Sequence, residues 1–175
     1  AGYGKPFSFK PVHTAVPEDK LKQYAELLAT LPEGFTPHKK LARLVKQRHD
    51  AVMNDQNLDW GTVETLTYAS LLDEGVPVRL TGQDSRRGTF SHRHSVLMDV
   101  KTEEEYKPLD HIREGQPRFC VYDSPLAEVS VVGFEYGYSL GDPNILIIWE
   151  AQFGDFVNGA QVIIDQFLAS AEMKW

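Results

Sequence analysis

The sequence predicts an α/β fold: a mainly parallel sheet flanked by helices, behind a helical N-terminal lead-in. Three observations predict it. A helix–glycine–strand–glycine step runs from Asp59 through Gly75 to Gly82, which is the αβ unit of a parallel sheet. Residues 145–148 form the apolar run Ile-Leu-Ile-Ile, of the kind found in central parallel strands buried on both faces. Between them lies a second β-rich run at 119–122, followed by Asp123-Ser124-Pro125, the sharpest helix start in the chain.

Each element has a local reason. Residues 1–16, with Gly2, Gly4, Pro6 and Pro11 and no sustained period, read as an extended arm. Pro17-Glu18-Asp19 suits a helix N-terminus, because proline tolerates the first turn and acids complement the helix dipole. Leu21, Tyr24, Leu27, Leu28 and Leu31 then recur at helical spacing until Pro32-Glu33-Gly34 stops the run. A second amphipathic helix follows Thr36-Pro37, with Leu41, Leu44, Val45 and His49 on one side. Its Lys39, Lys40, Arg43, Lys46 and Arg48 read as a solvated face. The third helix is capped by Asp59 and closes at Gly75.

Residues 78–82 form a strand, 83–93 a polar loop, 95–100 a further strand and 101–117 a charged surface excursion. The helix opened at residues 123–125 is apolar, and its Gly133 and Gly137 permit close backbone packing. After the strand at 144–149, residues 153–159 turn. A closing helix over 160–171 then places Val162, Ile163, Phe167 and Leu168 on the core side. Residues 1–57 are accordingly the arm and lead-in, and 58–175 the α/β domain.

Composition limits the functions available. The 175 residues carry 18 Lys+Arg against 25 Asp+Glu, a net charge of −7, which argues against general nucleic-acid binding. No apolar run approaches the roughly 20 residues of a membrane span, and no signal-peptide pattern opens the chain. The single cysteine, Cys120, excludes an intramolecular disulfide and reads as a small core residue in a strand. The expected class is a soluble intracellular protein.

Ligands of open parallel sheets bind beyond the carboxyl ends of the strands. That rule selects residues 82–94, 123–128 and 150–156. Glu128 sits in the first turns of an apolar helix. It is either a first-turn glutamate satisfying backbone donors or a carboxyl holding one proton inside a cofactor pocket. Phe153 and Phe156 either cap the core or offer a flat wall to an aromatic ring. On a strand, His92 and His94 would share one face and form a metal pair with Asp84 or Asp99, as a metallohydrolase requires, although no third spaced ligand accompanies them. With Arg86, Arg87 and Arg93 this is the one basic loop of an acidic chain, suited to an anionic small molecule or to a surface salt network.

Together these segments resemble a known family. Asp59-Trp60-Gly61 through Leu71, the run from Leu80 to His94 (LTGQDSRRGTFSHRH), residues 123–128 (DSPLAE), 133–138 (GFEYGY), 149–156 (WEAQFGDF) and 158–167 (NGAQVIIDQF) are similar to the thiamine-diphosphate-dependent decarboxylase component of the 2-oxoglutarate dehydrogenase complex. The lead-in at 31–41 (LPEGFTPHKKL) is similar too. The resemblance implies the pyrimidine-binding domain of a transketolase-like fold. It implies that Glu128 hydrogen-bonds the aminopyrimidine ring and favours its imino tautomer, with Gln152, Phe156 and, more weakly, Gln83 lining the same pocket. It implies decarboxylation of 2-oxoglutarate and transfer of the succinyl group to a lipoyl-bearing succinyltransferase component.

The resemblance also implies a homodimer in the intact enzyme, in the bacterial cytoplasm or the mitochondrial matrix, with no nucleic-acid or membrane partner. Magnesium and diphosphate would be held by a domain absent from this chain, which would continue past Trp175. The isolated piece would then be inactive. Where the family carries serine before the glutamate, this chain has Ala127, which removes one hydroxyl from the pocket. A relative acting on 2-oxoadipate, and a non-catalytic assembly module docking through the arm and the basic helix, are the alternatives.

Overall fold

The protein is described by a computed structural model over residues 8–154 and 156–171. The expectations placed on residues 1–7 of the arm, on Asp155 and on residues 172–175 lie outside the described residues. Three helices lead: α1 (Glu18–Ala29), α2 (Lys39–Met53) and α3 (Trp60–Asp73). Then come β1 (Val78–Gly82), the two-residue strands β2 (Leu97–Met98) and β3 (Glu105–Tyr106), a 3-10 turn Pro108–His111, and β4 (Phe119–Asp123). The chain continues through α4 (Glu128–Ser139), β5 (Leu146–Glu150), a second 3-10 turn Val157–Ala160, the short α5 (Gln161–Ile163) and a π-helical turn Ile164–Leu168.

The lead-in starts where the residue types direct it. Pro17 precedes α1 at φ −55°, with Glu18 and Asp19 in the first turn. The Asp59 carboxylate accepts the Thr62 N–H at 2.7 Å and caps α3. Tyr24 and Ala25 of α1, Val52 of α2, and Leu66, Ala69 and Leu72 of α3 meet Val78 and Leu80 of β1 and Phe119 and Val121 of β4 in one core. The lead-in and the sheet therefore share a single hydrophobic interior. Burying each of Leu72, Leu80 and Phe119 stabilises that interior by about 1.5–3 kcal/mol.

Among the described residues the main sheet has three parallel strands in the order β4-β1-β5, with Gly82 paired to Asp123 on one side and Glu150 on the other. Its period-2 alternation separates two faces. Val78 and Leu80 point into the core, whereas Arg79 meets Glu135 of α4 through two bonds of 2.7 and 2.9 Å. Gly82 is at φ 153°, and a Cβ there would lie 2.2 Å from the Glu150 carbonyl oxygen. Only glycine lets β1 leave the sheet so close to the end of β5.

Six expectations change. Residues 95–100 do not enter the parallel sheet, because their backbone serves other partners. Ser95 N–H bonds the Arg86 carbonyl, Val100 N–H bonds the Thr36 carbonyl, Leu97 and Met98 pair antiparallel to β3, and Asp99 makes a single antiparallel bridge to Pro37. Residues 101–117 are more than surface: Leu109 and Ile112, three apart among charges, insert into the core from the 3-10 turn and its end. Of the Ile-Leu-Ile-Ile run, Leu146, Ile147 and Ile148 enter β5, an edge strand of the described sheet with each residue partly exposed, and β1 is central.

Helix α4 starts at Glu128 and not at residues 123–125. The parallel ladder continues through Asp123, and the Ser124 N–H still donates to the Gly82 carbonyl. No backbone approaches Gly133 or Gly137. Among the described residues Gly137 has nothing within 4 Å of an added Cβ, and Gly133 would meet only the Ile163 side chain, Cδ1 at 3.8 Å and Cγ1 at 4.0 Å. The closing helix is broken into short turns that leave Val162, Phe167 and Leu168 exposed. Among the described residues no helix is long and apolar enough to cross a membrane.

Candidate functional site

The three selected segments do converge. They leave the carboxyl ends of β1, β4 and β5 and meet at a narrow slot lined by Gly82, Gln83, Leu126, Glu128, Val131, Trp149, Glu150, Ala151 and Gln152. The slot opens into a wider depression bordered by Gln83, Asp84, Asp123, Ser124, Pro125 and Gln152. Neighbouring strands at the switch in strand order leave such a crevice, with β1 flanked on both sides by later strands. A separate apolar cavity lies between α1, α2, α3 and residues 93–97, and meets the selected segments only at Arg93 and His94.

Glu128 is the first residue of α4 and is half-buried. Ala127 occupies the cap position in an extended conformation and offers no side-chain cap, so the first-turn N–H groups keep no serine hydroxyl as partner. The helix N-terminus favours a negative charge at Glu128. Gln83 Nε2 lies 3.5 Å from Glu128 Oε1. Gln152 sits across the mouth, where its Nε2 donates to Asp84 Oδ2 at 2.9 Å. Phe156 precedes the second 3-10 turn, is 48% exposed and lines neither the slot nor the depression. Thus Gln83, Glu128 and Gln152 are brought together, and Phe156 stands apart.

The histidine loop departs from the expected strand. His94 has a φ of 50°, so His92 and His94 do not share a strand face. Burial, with the charges of Arg48 and Arg87 nearby, holds the His94 imidazole below the ordinary histidine range. The Asp99 carboxylate accepts the backbone N–H groups of Thr36, Lys101 and Thr102 instead of facing a histidine. Among the described residues no group of three or more His, Cys, Asp or Glu is arranged to hold a metal ion.

The basic loop is also neutralised in place. Arg86 pairs with Glu105, Arg87 with Asp84, and Arg93 with both Glu64 and Glu150. Arg48, read as solvated, is part-buried and donates to the carbonyls of His92 and Arg93. The salt-network reading therefore describes this loop. Asp84, Arg93 and Glu150 border or support the site; they lie in the selected segments, but nothing in the sequence pairs them with one another. A buried arginine and an exposed one look alike in a chain without period, and only the fold brings Glu64 and Glu150 to Arg93.

The donor set fits an aminopyrimidine ring. A carboxylate can share a proton with a ring nitrogen, amides can meet the remaining polar edges, and Leu126 and Val131 supply apolar walls.

The family profile described as transketolase, pyrimidine binding domain, matches residues 56–175. The chain is 54% identical over 166 residues to the 2-oxoglutarate dehydrogenase E1 component of Cupriavidus necator, covering 93% of this chain and 18% of that protein. It is 53% identical to the E1 component of Oceanobacillus iheyensis (93% and 17% covered). It is 51% identical to the mitochondrial 2-oxoglutarate dehydrogenase of Schizosaccharomyces pombe (93% and 16% covered). The chain therefore spans less than a fifth of the length of these relatives.

Proposed function

Because this chain belongs to the transketolase pyrimidine-binding domain family, we propose that it forms the aminopyrimidine half of a thiamine diphosphate cleft. The relatives are named 2-oxoglutarate dehydrogenase E1 component, which supports oxidative decarboxylation of 2-oxoglutarate by the parent protein; the sequence resemblance adds transfer of the succinyl group to a lipoyl-bearing succinyltransferase component. The observation that carries this reading is the half-buried carboxylate of Glu128 at the start of α4, with Gln83 against it and Gln152 across the mouth.

Thiamine diphosphate, when bound, supplies the carbon nucleophile and electron sink that decarboxylation of a 2-oxo acid requires. Glu128 holds a proton between its carboxylate and the pyrimidine ring nitrogen, which keeps the exocyclic nitrogen of the ring able to act as a base. Gln83 orients that carboxylate. Gln152, fixed through Asp84, keeps its amide oxygen free for the ring's amino edge, whereas Phe156, outside the slot, is left without a contact to the ring. Magnesium and the diphosphate belong to a domain outside this chain.

A homodimer suits the outer face of α4. Phe134 and Tyr138 are 59% and 44% exposed on a helix that is apolar on most sides, and Leu140 just after it is 51% exposed, a composition that calls for cover. Relatives come from bacteria and from mitochondria, which points to the bacterial cytoplasm or the mitochondrial matrix.

A substrate panel on the full-length protein tests the reading. Carbon dioxide release should depend on thiamine diphosphate and favour 2-oxoglutarate over 2-oxoadipate by about tenfold or more in kcat/KM, the scale of one methylene in a shaped pocket. A preference for 2-oxoadipate would reassign the substrate. Absence of any thiamine-dependent release would leave an assembly module and overturn the enzymatic reading.

A further inference from the structure

Arg93 is 3% exposed, yet all five of its N–H groups have acceptors. Nε and Nη2 donate to Glu64 of α3 at 2.5 and 3.0 Å. Nη1 and Nη2 donate to Glu150 at the end of β5 at 2.6 and 3.2 Å, and Nη1 also donates to the Ser85 carbonyl at 2.8 Å. Behind it, Arg48 donates to the carbonyls of His92 and of Arg93 itself. One cation thus serves two carboxylates in a place where water does not reach it.

We propose that Arg93 is a positioning residue for the cofactor slot, clamping its two lips at a fixed separation through Glu150 and Ser85. The inference rests on the functional reading above. Ser85 follows Gln83 and Asp84 on the lip that leaves β1, and Glu150 is two residues before Gln152 on the lip that leaves β5. Glu150 itself lines the slot. Glu64 anchors the whole arrangement to α3, which packs in the core. Because a guanidinium is a planar fork, it fixes direction as well as distance at both carboxylates. Lysine carries the same charge without that geometry. The Gln83–Glu128 and Gln152–Asp84 contacts on the two lips then keep their relative places only while the fork is intact.

The test is the saturation constant for thiamine diphosphate, measured with kcat in the full-length protein for Arg93→Lys, Glu150→Gln and the double variant. Clamping predicts that each single variant raises that constant about tenfold, with kcat at saturating cofactor within about threefold of the parent. The double variant should add little, because both substitutions open the same link. A purely structural role predicts lower thermal stability and less active protein with an unchanged constant, and that result would overturn the proposal. If Arg93→Lys does not fold, a constant within twofold of the parent in Glu150→Gln overturns it equally. Failure of the parent protein itself to bind thiamine diphosphate would refute the functional reading first, and the clamp with it.

Discussion

In the full-length protein, Glu128→Gln is expected to lower turnover of the 2-oxo acid by about 10²- to 10⁴-fold while leaving the fold in place, the range that removal of a proton-transfer group produces. Glutamine matches the volume of glutamate and still accepts a hydrogen bond from Gln83. What it lacks is a proton to share. The fold depends little on the charge, since Glu128 makes no ion pair among the described residues and only the helix N-terminus favours its negative form. Steady-state kinetics at saturating cofactor, with thermal unfolding alongside, separates the two effects. Turnover within about threefold of the parent would exclude the proton role.

The second large effect is on stability. Glu135 is 4% exposed and forms a two-bond pair with Arg79, whose guanidinium lies 4.6 to 5.6 Å from the rings of Tyr122, Phe134 and Tyr138. Glu135→Ala leaves a cation under a helix without its carboxylate, and removing one partner of a buried pair costs about 3–5 kcal/mol. The aromatic rings return only part of it, on the order of 0.5–1 kcal/mol for each favourable face. Replacing both partners with apolar residues (Arg79→Met with Glu135→Leu) removes the stranded charge. The double variant should therefore be clearly more stable than Glu135→Ala alone. Urea titration of all three proteins checks the order. A single variant as stable as the parent would mean that the pair holds nothing in place.

Much of this molecule was legible because some residues act locally. Asp59 caps α3 wherever its partners lie, Gly75 and Gly82 bracket β1, and the apolar alternation of residues 78–80 needs only a core on one side. The strand ends were legible for the same reason, and with them the convergence of Gln83, Glu128 and Gln152. What failed depended on competition between distant segments. Asp123-Ser124-Pro125 has the composition of a helix start, but its backbone is taken by the ladder with Gly82. The Ile-Leu-Ile-Ile run has the composition of a central strand and lies at an edge of the described sheet. Phe167 and Leu168 read as core and are exposed, in a chain that spans under a fifth of its relatives. The arginines of the 86–93 loop read equally as an anion site or a salt network, because the carboxylates Glu64, Glu105 and Glu150 that decide for the network are distant in sequence. Charge counts do not reveal pairing.

The decisive measurement is the position of the cofactor ring in a crystal structure of the full-length protein with thiamine diphosphate and magnesium. The assigned role predicts a carboxylate oxygen of Glu128 within hydrogen-bonding distance of the pyrimidine ring nitrogen, about 2.6–3.0 Å, with Gln83 and Gln152 beside it. A ring seated elsewhere, with Glu128 beyond about 3.5 Å from any of its nitrogens, would contradict the account.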